Sequence, residues 1–186
     1  MDAAAAAGAV SVVTHLFIAP AKGAPVKSVP LVDAIAGQGL EGDRYCEARN
    51  RRGAAHEVTL VQIEHIEAFT RATHLALTPE MPRRNIVTRG VDLNALVGRR
   101  FSLGEATLEG LELCEPCGLF ARRTHREVRK WFEGKGGLRA RIVAGGVIRV
   151  GDAVVPLALR GRSVRSRVSA AAEAPEAPPG RATAGR

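Results

Sequence analysis

Aromatic side chains are scarce in this chain of 186 residues: five Phe, one Tyr and one Trp make up 4% of it. A surface that stacks successive bases needs an array of rings, and so few do not supply one. Cysteine is rarer still. Cys46, Cys114 and Cys117 are an odd count with no framework spacing. That excludes a disulfide scaffold and points to a reducing compartment, so a cytoplasmic protein is expected. No stretch reaches the roughly 18 to 20 continuous apolar residues of a membrane span, so no membrane partner is expected. The apolar run Ala3 to Val13 has no Lys or Arg before it and lacks the positive start of a secretory leader. Internal repeats are also missing.

Positive charge is what the chain has in surplus, with a net +8. Half of it lies from residue 157 onward, where six arginines face only Glu173 and Glu176. From residue 159 the chain becomes Arg, Ser, Ala, Pro and Gly, with almost nothing apolar to bury. The expected division is one domain over residues 1–158 and a basic, Ala/Pro/Arg-rich disordered tail over 159–186. A basic nucleic-acid-binding module driven by that tail is one reading of the charge. The missing aromatic array weighs against nucleic acid as a partner.

Short strand patterns dominate. Val10 to Ile18 reads as a strand, and Val26 to Val32 as an edge strand because Pro30 cannot donate to a ladder. Three glycines follow between Ile35 and Tyr45, and Glu47 to His56 reads as a polar surface loop. Val58 to Val61 predicts a strand and Ile63 to His74 a helix. Arg83 and Arg84 lead into a strand that Gly90 ends. Phe101 to Leu113 predicts a hairpin turning at Gly104-Glu105. Phe120 to Phe132 reads as a basic helix stopped by Gly134, Gly136 and Gly137. Leu138 to Val143 and Val147 to Pro156 read as strands joined by a Gly145-Gly146 hairpin. The fold class is mainly β with a few helices, barrel-like or sandwich-like.

The chemistry concentrates in Leu111-Glu112-Leu113-Cys114-Glu115-Pro116-Cys117-Gly118. Four readings of its Cys-x-x-Cys spacing stand side by side. The pair can be two small hydrophobes near a core. It can be half of a zinc site, completed from His125, Cys46 and His56, none of which forms a second paired motif. It can be a thioredoxin-like redox pair, although the βαβ context is missing. Or it is a single activated thiol. A helix starting at Pro116 would set Cys117 in its first turn, where the dipole and nearby arginines favour a thiolate. Such a thiolate can carry sulfur as a persulfide or ligate a soft metal such as molybdenum. Lys27, Arg44, Arg83 and Arg84 stand at loop–strand junctions, where they either bind an anion or are solvent-exposed charges or salt-bridge partners of Asp43 or Glu41.

Five stretches, in order, resemble the molybdenum cofactor sulfurase C-terminal (MOSC) domain family. They are Gly39 to Tyr45, His56 to Leu60, Arg83-Arg84-Asn85-Ile86-Val87, the single cysteine Cys117, and Gly146 to Asp152. The resemblance implies a closed or partly closed β-barrel-like fold and the handling of molybdenum cofactor or sulfur. It places Cys117 as the catalytic cysteine and metal ligand. Pro25-Val26-Lys27-Ser28 is similar to the first cofactor-binding segment of the reductase branch, so Lys27, Ser28, Arg44, Arg83 and Asn85 are the expected cofactor-binding residues. A stand-alone member is implied that binds molybdenum cofactor (molybdopterin) or carries a persulfide on Cys117. A cysteine desulfurase or other sulfur donor is the implied partner, since no pyridoxal phosphate site is expected within the chain. The family's other implied activity is a molybdenum-dependent reductase of N-hydroxylated compounds, served by an electron-transfer partner.

Overall fold

The computed structural model describes residues 10–47 and 57–158. The expected disordered tail, the loop ending at His56 and His56 itself lie outside the described residues. Eleven strands and four short helices form along the described chain. The strands are β1 Val12–Ile18, β2 Lys27–Val29, β3 Leu31–Ile35, β4 Gly39–Leu40, β5 Val58–Gln62, β6 Ile86–Arg89, β7 Arg100–Leu103, β8 Ala106–Leu113, β9 Leu138–Ala144, β10 Gly146–Arg149 and β11 Val154–Pro156. The helices are α1 Arg44–Glu47, α2 Ile63–Thr73, α3 Gly118–Arg123 and α4 Val128–Trp131.

Eight strands form one sheet in the order β11-β7-β8-β9-β5-β6-β1-β2, and β10-β3-β4 form a second. Only β5 and β6 pair in parallel, and α2 is their crossover. The large sheet curls until its first strand meets the segment before its last. Val13 N–H donates to Asp152 O at 2.9 Å, Gly151 N–H to Val13 O at 2.8 Å and Val154 N–H to Ser11 O at 2.8 Å. The barrel is thus partly closed.

Strand alternation decides which residue faces which core. Leu16, Leu60 and Ile86 point into the barrel with Phe101, Leu103, Leu108 and Leu138. Their neighbours Phe17, Val61 and Val87 point out, against α2, α3 and α4. The chain spends its few rings there: Phe17, Phe69, Phe120 and Phe132 all lie in this outer core. Phe69 meets Trp131 and Phe132 with ring centres 5.9 Å apart, and Phe120 meets Phe132 at 5.5 Å.

Five expectations are corrected. Val26 to Val32 is not one strand: Pro30 separates β2 in the large sheet from β3 in the small one. A residue without an N–H is well placed where the ladder must break. Gly145-Gly146 is not a hairpin, because β9 and β10 do not pair and the chain there passes between sheets. For the same reason Val147 to Pro156 is two strands rather than one. The basic helix is broken at Thr124, whose hydroxyl donates back to Phe120 O at 2.8 Å and whose backbone leaves the helical region. The helix also begins at Gly118 and not at Pro116, so Cys117 is its N-cap and sits outside its first turn.

Candidate functional site

The site lies at the end of the barrel where β8 ends, β6 and β9 begin, and the glycine-rich stretch closes over them. Its scaffold is a set of carbonyls held by one arginine. Arg84 is buried, and its guanidinium donates to Gly136 O at 3.0 Å, Cys114 O at 3.0 Å and Glu115 O at 3.4 Å. Cys114 N–H in turn donates to Gly137 O at 2.7 Å, and Glu115 accepts from Gly134 N–H at 3.1 Å. The approach is so close that only glycine fits beside it. A Cβ on Gly136 would lie 2.3 Å from Cys114 O, and one on Gly137 would lie 1.9 Å from Leu60 O. The loop that carries Cys117 is therefore fixed from below, while Cys117 itself is exposed and Cys114 buried.

A second network positions the opposite wall. Asp43 is buried and accepts from Ala19 N–H at 2.8 Å, Tyr45 N–H at 3.0 Å and Asn85 Nδ2 at 3.2 Å. Asn85 Oδ1 accepts from Thr59 N–H at 3.1 Å and from the Thr59 hydroxyl at 2.9 Å. One carboxylate and one amide thus tie β1, α1, β5 and β6 together. Pairing with Asp43 or Glu41 is one alternative for the basic residues, and among the described residues no ion pair joins Arg44, Arg83 or Arg84 to either carboxylate. Arg44 lies over the Tyr45 ring instead, 4.2 Å from its centre.

Between these walls is a cavity of about 180 Å³ lined by Cys117, Cys114, Arg44, Tyr45, Thr59, Arg83, Arg84 and Arg139, with Pro82, Leu119 and Phe120. The structure therefore brings together three of the sequence-predicted residues, Cys117, Arg44 and Arg83. Asn85 stands behind the wall as a positioning residue. Lys27 and Ser28 lie on the edge strand β2, exposed, and do not line the cavity. Burial pushes the Arg83 guanidinium below its usual range, and the positive charges of Arg123 and Arg44 push the same way. His125 hydrogen-bonds Ala76 O at 2.9 Å and stacks on Phe69, away from the thiols. Among the described residues no three His, Cys, Asp or Glu side chains are grouped to hold a metal ion.

Thr59 and Arg139 escaped sequence reasoning, yet a signal exists. Each is the single polar residue between two fully buried ones, Val58 and Leu60 on β5, Leu138 and Ala140 on β9. They are direct cross-strand partners, which no reading of one strand alone reveals.

The MOSC domain family model matches residues 47–155. The chain belongs to the MOSC domain family. The YUAD protein of Bacillus subtilis has a similar crystal structure, with a TM-score of 0.66 at 20% identity over 77% of this chain and 94% of that one. YiiM of Geobacillus stearothermophilus superposes with a TM-score of 0.59 at 16% identity, covering 80% of this chain and 74% of that one. YiiM of Escherichia coli gives 0.59 at 18%, covering 80% and 70%. No curated protein matches the chain. The matched MOSC stretch contains Cys117, Arg83 and Asn85, whereas Arg44, Lys27 and Ser28 precede it.

Proposed function

We propose that this MOSC domain uses Cys117 to carry sulfur and the arginines around it to hold the anionic group of a bound cofactor or donor. The observation that carries the reading is one exposed thiol opening onto the same cavity as Arg44, Arg83, Arg84 and Arg139. A cysteine kept for packing would be buried, as Cys114 is. In the sulfur-carrying step the Cys117 thiolate attacks the outer sulfur of a donor persulfide. A new S–S bond forms on Cys117, the donor's S–S bond breaks, and the donor leaves as its thiolate, with no net oxidation. A cysteine desulfurase or a small persulfide can supply that sulfur.

The residues also suit molybdenum cofactor. A lone thiolate cannot hold a bare ion, but it can complete the coordination of a metal that arrives with its own ligands, and sulfur suits a soft metal. Arg44 and Arg83 would take the cofactor's phosphate and Cys117 its metal. Bound there, the cofactor would supply a redox-active centre. This chain's own contribution is then a fixed thiol, a cationic wall and an exposed mouth.

The test is the protein purified from its own host. We expect pterin and molybdenum, or a labile sulfane sulfur, that Cys117→Ser abolishes. Finding neither, even after incubation with a persulfide donor or the cofactor, overturns the proposal. Reduction of an amidoxime by cofactor-loaded protein and an electron donor would identify the reductase rather than the carrier.

A further inference from the structure

We propose that the Cys117 cavity is the inner half of a two-chambered site for an organic pyrophosphate, with Arg83 between the two chambers and Arg123 holding the outer phosphate. The inference rests on the reading of the inner cavity as an anion site and extends it outward.

A second cavity, of about 230 Å³, shares Arg83 with the first. Arg123 and Thr124 give it a cationic and polar side, and Pro25, Val26 and Met81 an apolar one. The two arginines are anchored on consecutive carbonyls of one loop. Arg83 Nη2 donates to Ala24 O at 2.8 Å and Arg123 Nη2 to Gly23 O at 3.3 Å. That anchoring uses one N–H group of each fork and leaves the others without an acceptor among the described residues. Glu80 lies on the same wall, yet no ion pair joins it to either arginine among the described residues. Two guanidinium groups held beside each other repel, and an anion shared between them removes that repulsion. Arg83 also has a left-handed backbone, φ 56°, which is uncommon away from glycine and gathers at ligand clamps.

A phosphomonoester fills one chamber. A pyrophosphate places its second phosphate beyond Arg83, on Arg123, and the group it carries meets the apolar side formed by Pro25, Val26 and Met81.

Calorimetric titration of the full chain with inorganic phosphate and with inorganic pyrophosphate tests this. Pyrophosphate is expected to bind about tenfold tighter than phosphate. Arg123→Ala should remove that advantage, weakening pyrophosphate more than it weakens phosphate. Arg83→Ala should weaken both. Equal affinity for the two anions, or an Arg123→Ala variant that binds pyrophosphate unchanged, overturns the two-chamber site alone. Failure of the unaltered chain to bind either anion overturns the inner anion site with it. The readout involves neither molybdenum nor persulfide, so it is separate from the test of Cys117.

Discussion

Arg83 and Arg84 are neighbours in sequence with opposite tasks. Arg84 is buried on three carbonyls, whereas the Arg83 side chain makes one hydrogen bond among the described residues and faces both cavities. Arg84→Met leaves those carbonyls without a donor and is expected to cost about 2–4 kcal/mol in urea unfolding. Arg83→Met should cost under about 1 kcal/mol, since water reaches the group it leaves behind, and should instead weaken anion binding. Equal losses of stability would contradict this division. Apart from the family resemblance, which singles out Arg83, no local pattern separates the two, because both precede the same strand. The strand's alternation, started by the left-handed turn at Arg83, sends one side chain down and the other across. Cys114 and Cys117 are split in the same way: their spacing left four readings open, and burial of one with exposure of the other decides which thiol can meet a partner.

At the scale of elements, the alternation of β5, β6, β7 and β8 was legible because each strand buries one apolar face completely. What was not legible is which strands share a sheet. The breaks at Pro30 and at Gly145-Gly146 look like an edge strand and a hairpin, and both are crossings between sheets. The Gly136-Gly137 step read as a helix stop, but its stronger reason is contact with the cysteine loop and β5. Gly137→Ala sets a Cβ against Leu60 O in a backbone with φ 112° and is expected to cost at least ~2 kcal/mol. Gly134→Ala, with φ 68° and open space around it, should cost only ~1 kcal/mol. Paired thermal melts of the two variants check the contrast. Phe69→Ala, at the centre of the outer core, should cost about 3–5 kcal/mol and loosen α3 and α4, and with them the cap that carries Cys117.

For the molecule as a whole, two titrating groups give opposite pH slopes. Burial raises the Glu57 carboxyl above its usual range, outweighing the Ile142 N–H it accepts at 2.7 Å. A raised acid binds its proton more tightly in the folded state, so stability falls as pH rises from the ordinary carboxylate value through the elevated one. Burial lowers His65 below its usual value, so stability falls as pH drops from that value through the lowered one. Glu57→Gln keeps an acceptor for Ile142 and should raise the melting temperature at neutral pH while flattening the first slope; an unchanged profile would contradict the assignment. The order of the family's motifs was visible along the sequence, and the cavity they build was visible only in part. Cys117, Arg44 and Arg83 line one cavity, Lys27 and Ser28 stay on an edge strand, and Thr59 and Arg139 enter through a strand register that no local pattern encodes. The central claim is that Cys117 is the one thiol in this molecule built to receive sulfur, and the mass of the intact protein after exposure to a persulfide donor tests it most directly. The unaltered chain and Cys114→Ser should each gain one sulfur atom that a reductant removes, and Cys117→Ser should gain none; a sulfur that persists on Cys117→Ser, or that is lost on Cys114→Ser, would contradict the account.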